Sequence, residues 1–298
     1  MRIAVLGAGV MGRNIARVFL HAGHDVALFS RTAGTLEDAR TSLDAPILRT
    51  TEIVGEAVAG ADLVLESVPE RIEVKTALFK EVEAAAPVDA ILGTNTSSLP
   101  LDRLAAALQR PANFLGLHWF NPAHLIPLVE VVPTSATDPD VVERSVELLT
   151  AAGKRPRVLN RSVPGYVANR LQYALIREAL QLLQDGVADA ETIDAVITDC
   201  LGPRWSVIGP LRSSDLAGID TAVAVAEQLF PVLSSATEPH AVLRELQARG
   251  RLGVRTGVGF HDYPNPAAAI AERDRGLEAV LNRVEKLSDS GTHSPDNV

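Results

Sequence analysis

The stretch RIAVLGAGVMGRNIARVFLHAGHDVALFS, residues 2–30, decides the fold. Arg2 to Leu6 is a short apolar, β-branched run of strand length, and Gly7-Ala8-Gly9-Val10-Met11-Gly12 ends it. Ile15, Val18, Phe19 and Ala22 then recur on one helical face, with Gly23 just past them as a stop. DVALFS makes a second strand. This is G-x-G-x-x-G in the strand, turn and helix setting that gives the motif its meaning. Gly7 permits the tight turn, Gly9 lets the backbone approach a pyrophosphate, and Gly12 lets the helix pack closely on the strand. The helix start, at Val10 and Met11, then offers unpaired N–H groups to phosphates. A dinucleotide-binding unit is expected.

The end of the second strand bears on which dinucleotide. An Asp or Glu there would take both ribose hydroxyls of NAD. The residues are Ser30-Arg31-Thr32, with no carboxylate, so an arginine and two hydroxyls are available to a 2′-phosphate. The reading leans to NADP over NAD; the alternative is that Arg31 lies along the adenine face and NAD is used.

Further α/β segments follow. ADLVLESV (Ala61 to Val68) reads as a strand, EVKTALFKEVEAAA as an amphipathic helix, and AILGTN as a strand ending in Thr94-Asn95-Thr96-Ser97-Ser98. A helix is expected after Leu99-Pro100, then strands NFLGLHWF and IPLVEVV. Within GLHWFNPAHLIPLVEVV (116–132), His118 and Glu130 stand twelve residues apart. Alone, that histidine reads first as a buried strand-end residue, with an acid/base group as the alternative. In a doubly wound sheet, however, sites form beyond the carboxyl ends of strands, where both Ser97 and His118 lie. Ser97 has a competing reading as an N-cap, Glu130 as a solvated strand residue, and His124 as a surface histidine or part of a pocket mouth.

Composition limits the function classes. The 298 residues are 47% hydrophobic and 22% charged, as in an ordinary globular protein. A net charge of -9 argues against nucleic acid or an anionic membrane as partner. Cys200 is the only cysteine, so no intrachain disulfide forms and a cytoplasmic setting fits. MRIAVLGAGVMG is too short and glycine-broken for a signal peptide or membrane span. No metal site is expected. The end, SDSGTHSPDNV, reads as a frayed polar tail.

Pro164-Gly165 marks a domain boundary. The expected fold is α/β, a Rossmann-type doubly wound sheet over residues 1–162, followed by an all-helical domain over 163–298. VANRLQYALIREALQLLQ is a strong helix, with Val167, Leu171, Ala174, Leu175, Leu182 and Leu183 on one apolar side and Gly186 as its stop. That side is either intrachain core or a subunit interface. Gly202-Pro203-Arg204-Trp205 reads as a turn, and residues 267–287 as a charged C-terminal helix with one packed face.

Taken in order, GAGVMG, ESVPERIEVKTALF, NTSSLPL, GLHWFNPAHLIPLVEVV, VPGYVANRLQYALIREALQLLQDGV and GRLGVRTGVGFHDY resemble the 3-hydroxyacyl-CoA dehydrogenase family along nearly the whole chain. The resemblance implies interconversion of a 3-hydroxyacyl group and its 3-oxo form, in the setting of fatty acid metabolism. His118 and Glu130 then match the family's catalytic pair, and Ser97 and Asn169 its substrate contacts. The loop from Gly7 to Gly12, Glu70, Lys75, Asn95 and Asn121 match its cofactor contacts. The helical second domain would close the substrate cleft and form a homodimer. The chemistry agrees: oxidising a secondary alcohol needs a base for the hydroxyl proton, and a histidine oriented by a carboxylate supplies it.

One departure bears on substrate. Family members acting on coenzyme A thioesters usually carry a long helical excursion between the second and third strands; here only Ala33 to about Thr50 fills the gap. H-W-x-N-P-x-H-x-I-P and GPRWSVIGP look more like branches that oxidise gulonate, carnitine or pyridine derivatives, and a carrier-protein-bound hydroxyacyl group is another alternative. The thioester reading stays as the default. A lysine-based β-hydroxy acid dehydrogenase is disfavoured by the His118/Glu130 pair, and a non-catalytic dinucleotide-binding protein by the four site residues together.

Overall fold

The parallel core of the sheet comprises β1 (Arg2–Leu6), β2 (Asp25–Phe29), β3 (Arg49–Thr51), β4 (Leu63–Glu66), β5 (Ile91–Thr94) and β6 (Phe114–Trp119). In this computed structural model the residues described are 1–287 apart from Asp44 and Pro46; the expected polar tail lies outside them. Two more strands, β7 (Leu128–Pro133) and β8 (Arg155–Val158), extend the sheet to the order β3-β2-β1-β4-β5-β6-β7-β8. β7 runs antiparallel to β6, and β8 parallel to β7. The connections leave β1 in both directions, which places a switch point between β1 and β4.

Strands covered on both faces need apolar residues at every position, and the run Ile3 to Leu6 is fully buried. The pleat divides it. Ile3 and Val5 pack with Ile15 and Phe19 of α1 (Val10–His21), while Ala4 and Leu6 pack with Phe79 and Val82 of α4 (Ile72–Ala85). α2 (Ala33–Leu43) and α6 (Pro139–Ala151) join the first layer; α3 (Val54–Val58) and α5 (Leu101–Ala105) join the second. The fourth strand is shorter than its sequence run because Ser67 and Val68 leave the ladder to line a cleft.

The chain forms two compact units, Met1–Arg170 and Leu171–Val298. α7 (Ala168–Gln184) starts in the first and continues into the second. The second unit is helical, with α8 (Ala190–Val196), α9 (Gly202–Trp205), α10 (Pro210–Ala217), α11 (Ile219–Leu229), α12 (Ala241–Ala248) and α13 (Pro266–Leu287). The expected turn at 202–205 is instead a helical turn that continues a five-residue π-helical segment, Ile197–Leu201. Pro203 stands where the π-helical segment passes into this turn, and it supplies no N–H to the helical ladder there. The apolar side of α7 is only partly covered within the chain: Leu171 is 60% exposed, Leu175, Leu182 and Leu183 are half-buried, and Leu180 is the one buried apolar side chain among the unit's described residues.

Candidate active site

The turn after β1 admits only glycine at two positions. Gly7 has φ +116°, and a Cβ there would lie 2.5 Å from the Ser67 carbonyl oxygen. A Cβ on Gly12 would lie 1.7 Å from the Gly7 carbonyl oxygen, so α1 can approach β1 only without a side chain there. Gly9, the residue before α1, has open space on its Cβ side, and no side chain caps the helix start. Its first N–H groups therefore face the cleft above, which measures about 1240 Å³. Gly7, Gly9, Val10 and Met11 line the cleft at the start of α1, and Ser30 and Arg31 line it at the end of β2. Glu70, Lys75, Asn95 and Ser97 line it too. A glycine cradle, an uncapped helix start and this volume together fit a dinucleotide.

Beneath the cleft lies a buried ionic network. Glu66, at the end of β4, is fully buried and accepts hydrogen bonds from Lys75 Nζ (2.6 Å), Thr94 Oγ1 (2.6 Å) and the Val68 N–H (2.6 Å). Burial pushes the Glu66 carboxyl up, opposed by Lys75, Thr94 and Val68. Lys75, 1% exposed, also contacts Glu70 Oε2 at 3.3 Å. Glu70 Oε1 accepts from the Thr96 hydroxyl, from the Ser97 and Ser98 N–H groups at 3.0 and 3.2 Å, and from Ser98 Oγ at 3.2 Å. Burial, the largest influence, raises the Glu70 carboxyl, but Thr96, Lys75 and the Ser97 N–H outweigh it and hold it below its ordinary value. Glu70 thus pins the loop that carries Ser97. Asn95 is fixed as well, accepting the Trp119 N–H at 2.8 Å.

His118 is 2% exposed on β6, directly opposite Glu130 in the antiparallel register. That pairing puts its Nδ1 2.8 Å from Glu130 Oε2. The other ring nitrogen, Nε2, lies 3.1 Å from Ser97 Oγ. Phe120 and Tyr166 meet the imidazole edge-on, at centroid distances of 4.4 and 5.2 Å. The remaining Glu130 oxygen, Oε1, accepts the Val167 and Ala168 N–H groups at 3.1 and 2.9 Å. Burial raises the Glu130 carboxyl most, yet the bond to His118, the Ala168 amide, the His118 charge and the Val167 amide together leave it lowered. An ionised Glu130 requires Nδ1 to donate, which leaves a lone pair on Nε2 facing Ser97.

Asn169 stands in the first turn of α7, next to Ala168. Asn121 is exposed just beyond β6 and, like His118 and Asn169, does not line the large cleft. Sequence reasoning missed Glu66, Thr94, Thr96 and Tyr166. A carboxylate inside the apolar run Leu63–Glu66 was a usable signal, since a buried charge requires a partner.

The family profile described as "3-hydroxyacyl-CoA dehydrogenase, NAD binding domain" matches residues 2–52 and 45–162, and that of the C-terminal domain matches 165–263. The 5-formyl-3-hydroxy-2-methylpyridine 4-carboxylate 5-dehydrogenase of Mesorhizobium japonicum is 34% identical, over 95% of this chain and 98% of its own length. The 3-hydroxyadipyl-CoA dehydrogenase of Escherichia coli is 36% identical over 99% of this chain, which spans 66% of that protein. Among solved structures, a 5-formyl-3-hydroxy-2-methylpyridine 4-carboxylic acid 5-dehydrogenase, described as an NAD+ dependent dismutase, superposes with a TM-score of 0.91. It is 33% identical, and the match covers 95% of this chain and 98% of that one.

Proposed function

This chain belongs to the 3-hydroxyacyl-CoA dehydrogenase family, and we propose that His118 and Glu130 are the acid/base pair of its NAD-dependent oxidation of a CH–OH group. The single observation that carries this reading is the line Ser97, His118, Glu130, with hydrogen bonds at 3.1 and 2.8 Å, at the carboxyl end of a Rossmann sheet. The bound nicotinamide supplies the hydride acceptor. His118 Nε2 takes the hydroxyl proton of the substrate, and Glu130 Oε2, holding Nδ1–H, stabilises the imidazolium that results. In the reverse direction Nε2 returns that proton to the substrate oxygen. Ser97 Oγ and the amide of Asn169 orient the substrate oxygens, while Glu70 and Lys75 hold the Ser97 loop in place.

For the substrate, we favour a small hydroxy compound without coenzyme A. The link between β2 and β3 holds only α2, eleven residues long, and a few more. The relative matched over 98% of its own length is named for a pyridine carboxylate. Purified protein mixed with NAD and a panel of 3-hydroxyacyl thioesters, free hydroxy acids and aromatic alcohols tests both points. NADH formation is expected with a free hydroxy compound; turnover of thioesters alone overturns the substrate reading, and no turnover with any substrate overturns the activity.

The cofactor is NAD. Arg31 favours a 2′-phosphate and Glu52, on the same cleft, opposes it, so we propose that NADP is also accepted and discrimination is small. Fluorescence titration with NADH and NADPH checks this, and Arg31→Ala should weaken NADPH alone. The second unit supports a homodimer. Leu211, Leu216 and Phe230 are 83%, 72% and 73% exposed, and a second copy of the chain would cover such faces. Sedimentation at micromolar concentration should give twice the chain mass. The single exposed Cys200 fits a reducing cytoplasm.

A further inference from the structure

Glu130 divides its two oxygens between two tasks. Among the described residues Oε2 meets the imidazole alone, while Oε1 meets two backbone amides from the start of α7. A seventeen-residue helix leaves its first N–H groups without intrahelical acceptors, and Glu130 satisfies two of them from another element. The exchange works in both directions. The carboxylate caps the helix, and the amides withdraw charge from the carboxylate that faces His118.

The chain geometry that brings the amides there is unusual. Gly165 and Tyr166 both have left-handed backbones, at φ +77° and +49°, and Tyr166 is the one described non-glycine residue with positive φ. Such a conformation is unfavourable for a residue with a Cβ and persists only when its surroundings impose it. Here the tyrosine ring imposes it. It is 1% exposed, packs in the core layer with Leu101 and Val132, and meets the imidazole edge-on at 5.2 Å. The Tyr166 N–H closes the turn on the Val163 carbonyl at 2.9 Å. One buried ring therefore fixes both the plane of His118 and the direction of the next two amides. Backbone strain at this position points to function better than to stability, because a glycine would make the same turn without it.

We propose that the turn from Pro164 to Ala168 sets the negative charge that Glu130 presents to His118, with the Val167 and Ala168 amides as the tuning groups and Tyr166 as the positioning residue. A carboxylate with no other donors would bind the imidazolium proton too strongly and slow its return. Sharing Oε1 with two amides weakens that hold while keeping Glu130 ionised. The lowered carboxyl of Glu130, in spite of its burial, agrees. The inference rests on His118 and Glu130 being the acid/base pair.

Ala168→Pro tests it. Ala168 is the first residue of α7, where proline's fixed φ is accommodated; the N–H is lost and the ring carbon that replaces it moves Oε1 away from this position. Ala168→Gly, which keeps the N–H, is the comparison. The proline variant should shift the acid limb of the kcat/KM profile for alcohol oxidation to higher pH by roughly half a unit or more, with the KM for NAD unchanged. A profile that overlays the glycine variant's overturns the proposal and leaves the acid/base assignment standing. Absence of hydride transfer in the wild-type protein overturns the assignment itself. If the proline variant does not fold, amide NMR of the wild-type chain decides. The Val167 and Ala168 amide shifts should titrate together with the His118 ring, and amides that stay flat through its titration refute the tuning role.

Discussion

Replacing Glu130 with glutamine tests the dyad at one atom. The side chain keeps its shape, and its amide oxygen can still accept the Val167 and Ala168 N–H groups, so the start of α7 keeps its cap. The change falls on the other side, 2.8 Å from His118 Nδ1, where an acceptor becomes an NH₂ donor. Nδ1 must then accept, the ring proton moves to Nε2, and the lone pair that takes the alcohol proton is gone. The lost charge adds to this. Two unit charges 2.8 Å apart at an effective dielectric of 20 interact by about 6 kcal/mol, an upper bound on the imidazolium stabilisation removed. Positioned acid/base groups contribute ~10²–10⁴ in rate, so Glu130→Gln should lower kcat about 10³-fold, close to 4 kcal/mol. Single-turnover hydride transfer, followed by NADH absorbance, measures it, while NADH fluorescence shows that cofactor affinity is retained. A loss under about tenfold would refute the tautomer reasoning.

Lys75→Met leaves the fully buried Glu66 without its cation, which should cost ~3–5 kcal/mol and lower Tm by roughly 6–20 °C in thermal unfolding. Adding Glu66→Gln should recover much of that, as a double-mutant cycle would show. Tyr166→Phe removes a buried hydroxyl that has no hydrogen-bond partner among the described residues, so Tm should rise by roughly 2–4 °C for about 1 kcal/mol, with hydride transfer kept. The pH dependence of stability follows from Glu130 and Glu70, whose folded carboxyls are both lowered. Their contribution is complete above the unfolded value of about 4.3 and is lost as pH falls through their lower folded values. Glu66, raised by burial, has the opposite sign, so comparing wild type with Glu130→Gln in acid melts isolates the Glu130 part: the variant's Tm should fall less steeply below about pH 4.

The parts of the fold that depend on local chemistry were legible. The run Arg2–Leu6, the three glycines and the amphipathic α1 each carry their structure in a few neighbouring residues, and all lie where the pattern put them. The closeness of His118 and Glu130 was not legible from spacing, because it depends on an antiparallel register across residues 120–127. Family likeness supplied that pair, and the geometry supplied its reason. Lys75 shows a different limit. The family resemblance implies a cofactor contact for it, whereas the ion pairs that hold its ammonium, with Glu66 and Glu70, depend on burial that only tertiary packing creates. The amides of Val167 and Ala168 carry no side-chain signal at all. They act through a left-handed tyrosine that no propensity favours. On α7 the apolar stripe was readable, but its partial exposure was not, because Leu171 and Leu175 carry the same pattern whether or not the chain covers them.

On the proposed function, His118 moves the proton while the glycine cradle, independently, holds the dinucleotide. His118→Gln separates the two in one variant by pairing NADH fluorescence titration with single-turnover hydride transfer. NADH should bind as in wild type while transfer slows by roughly 10² or more. Near-normal transfer with intact binding would show that another group moves the proton.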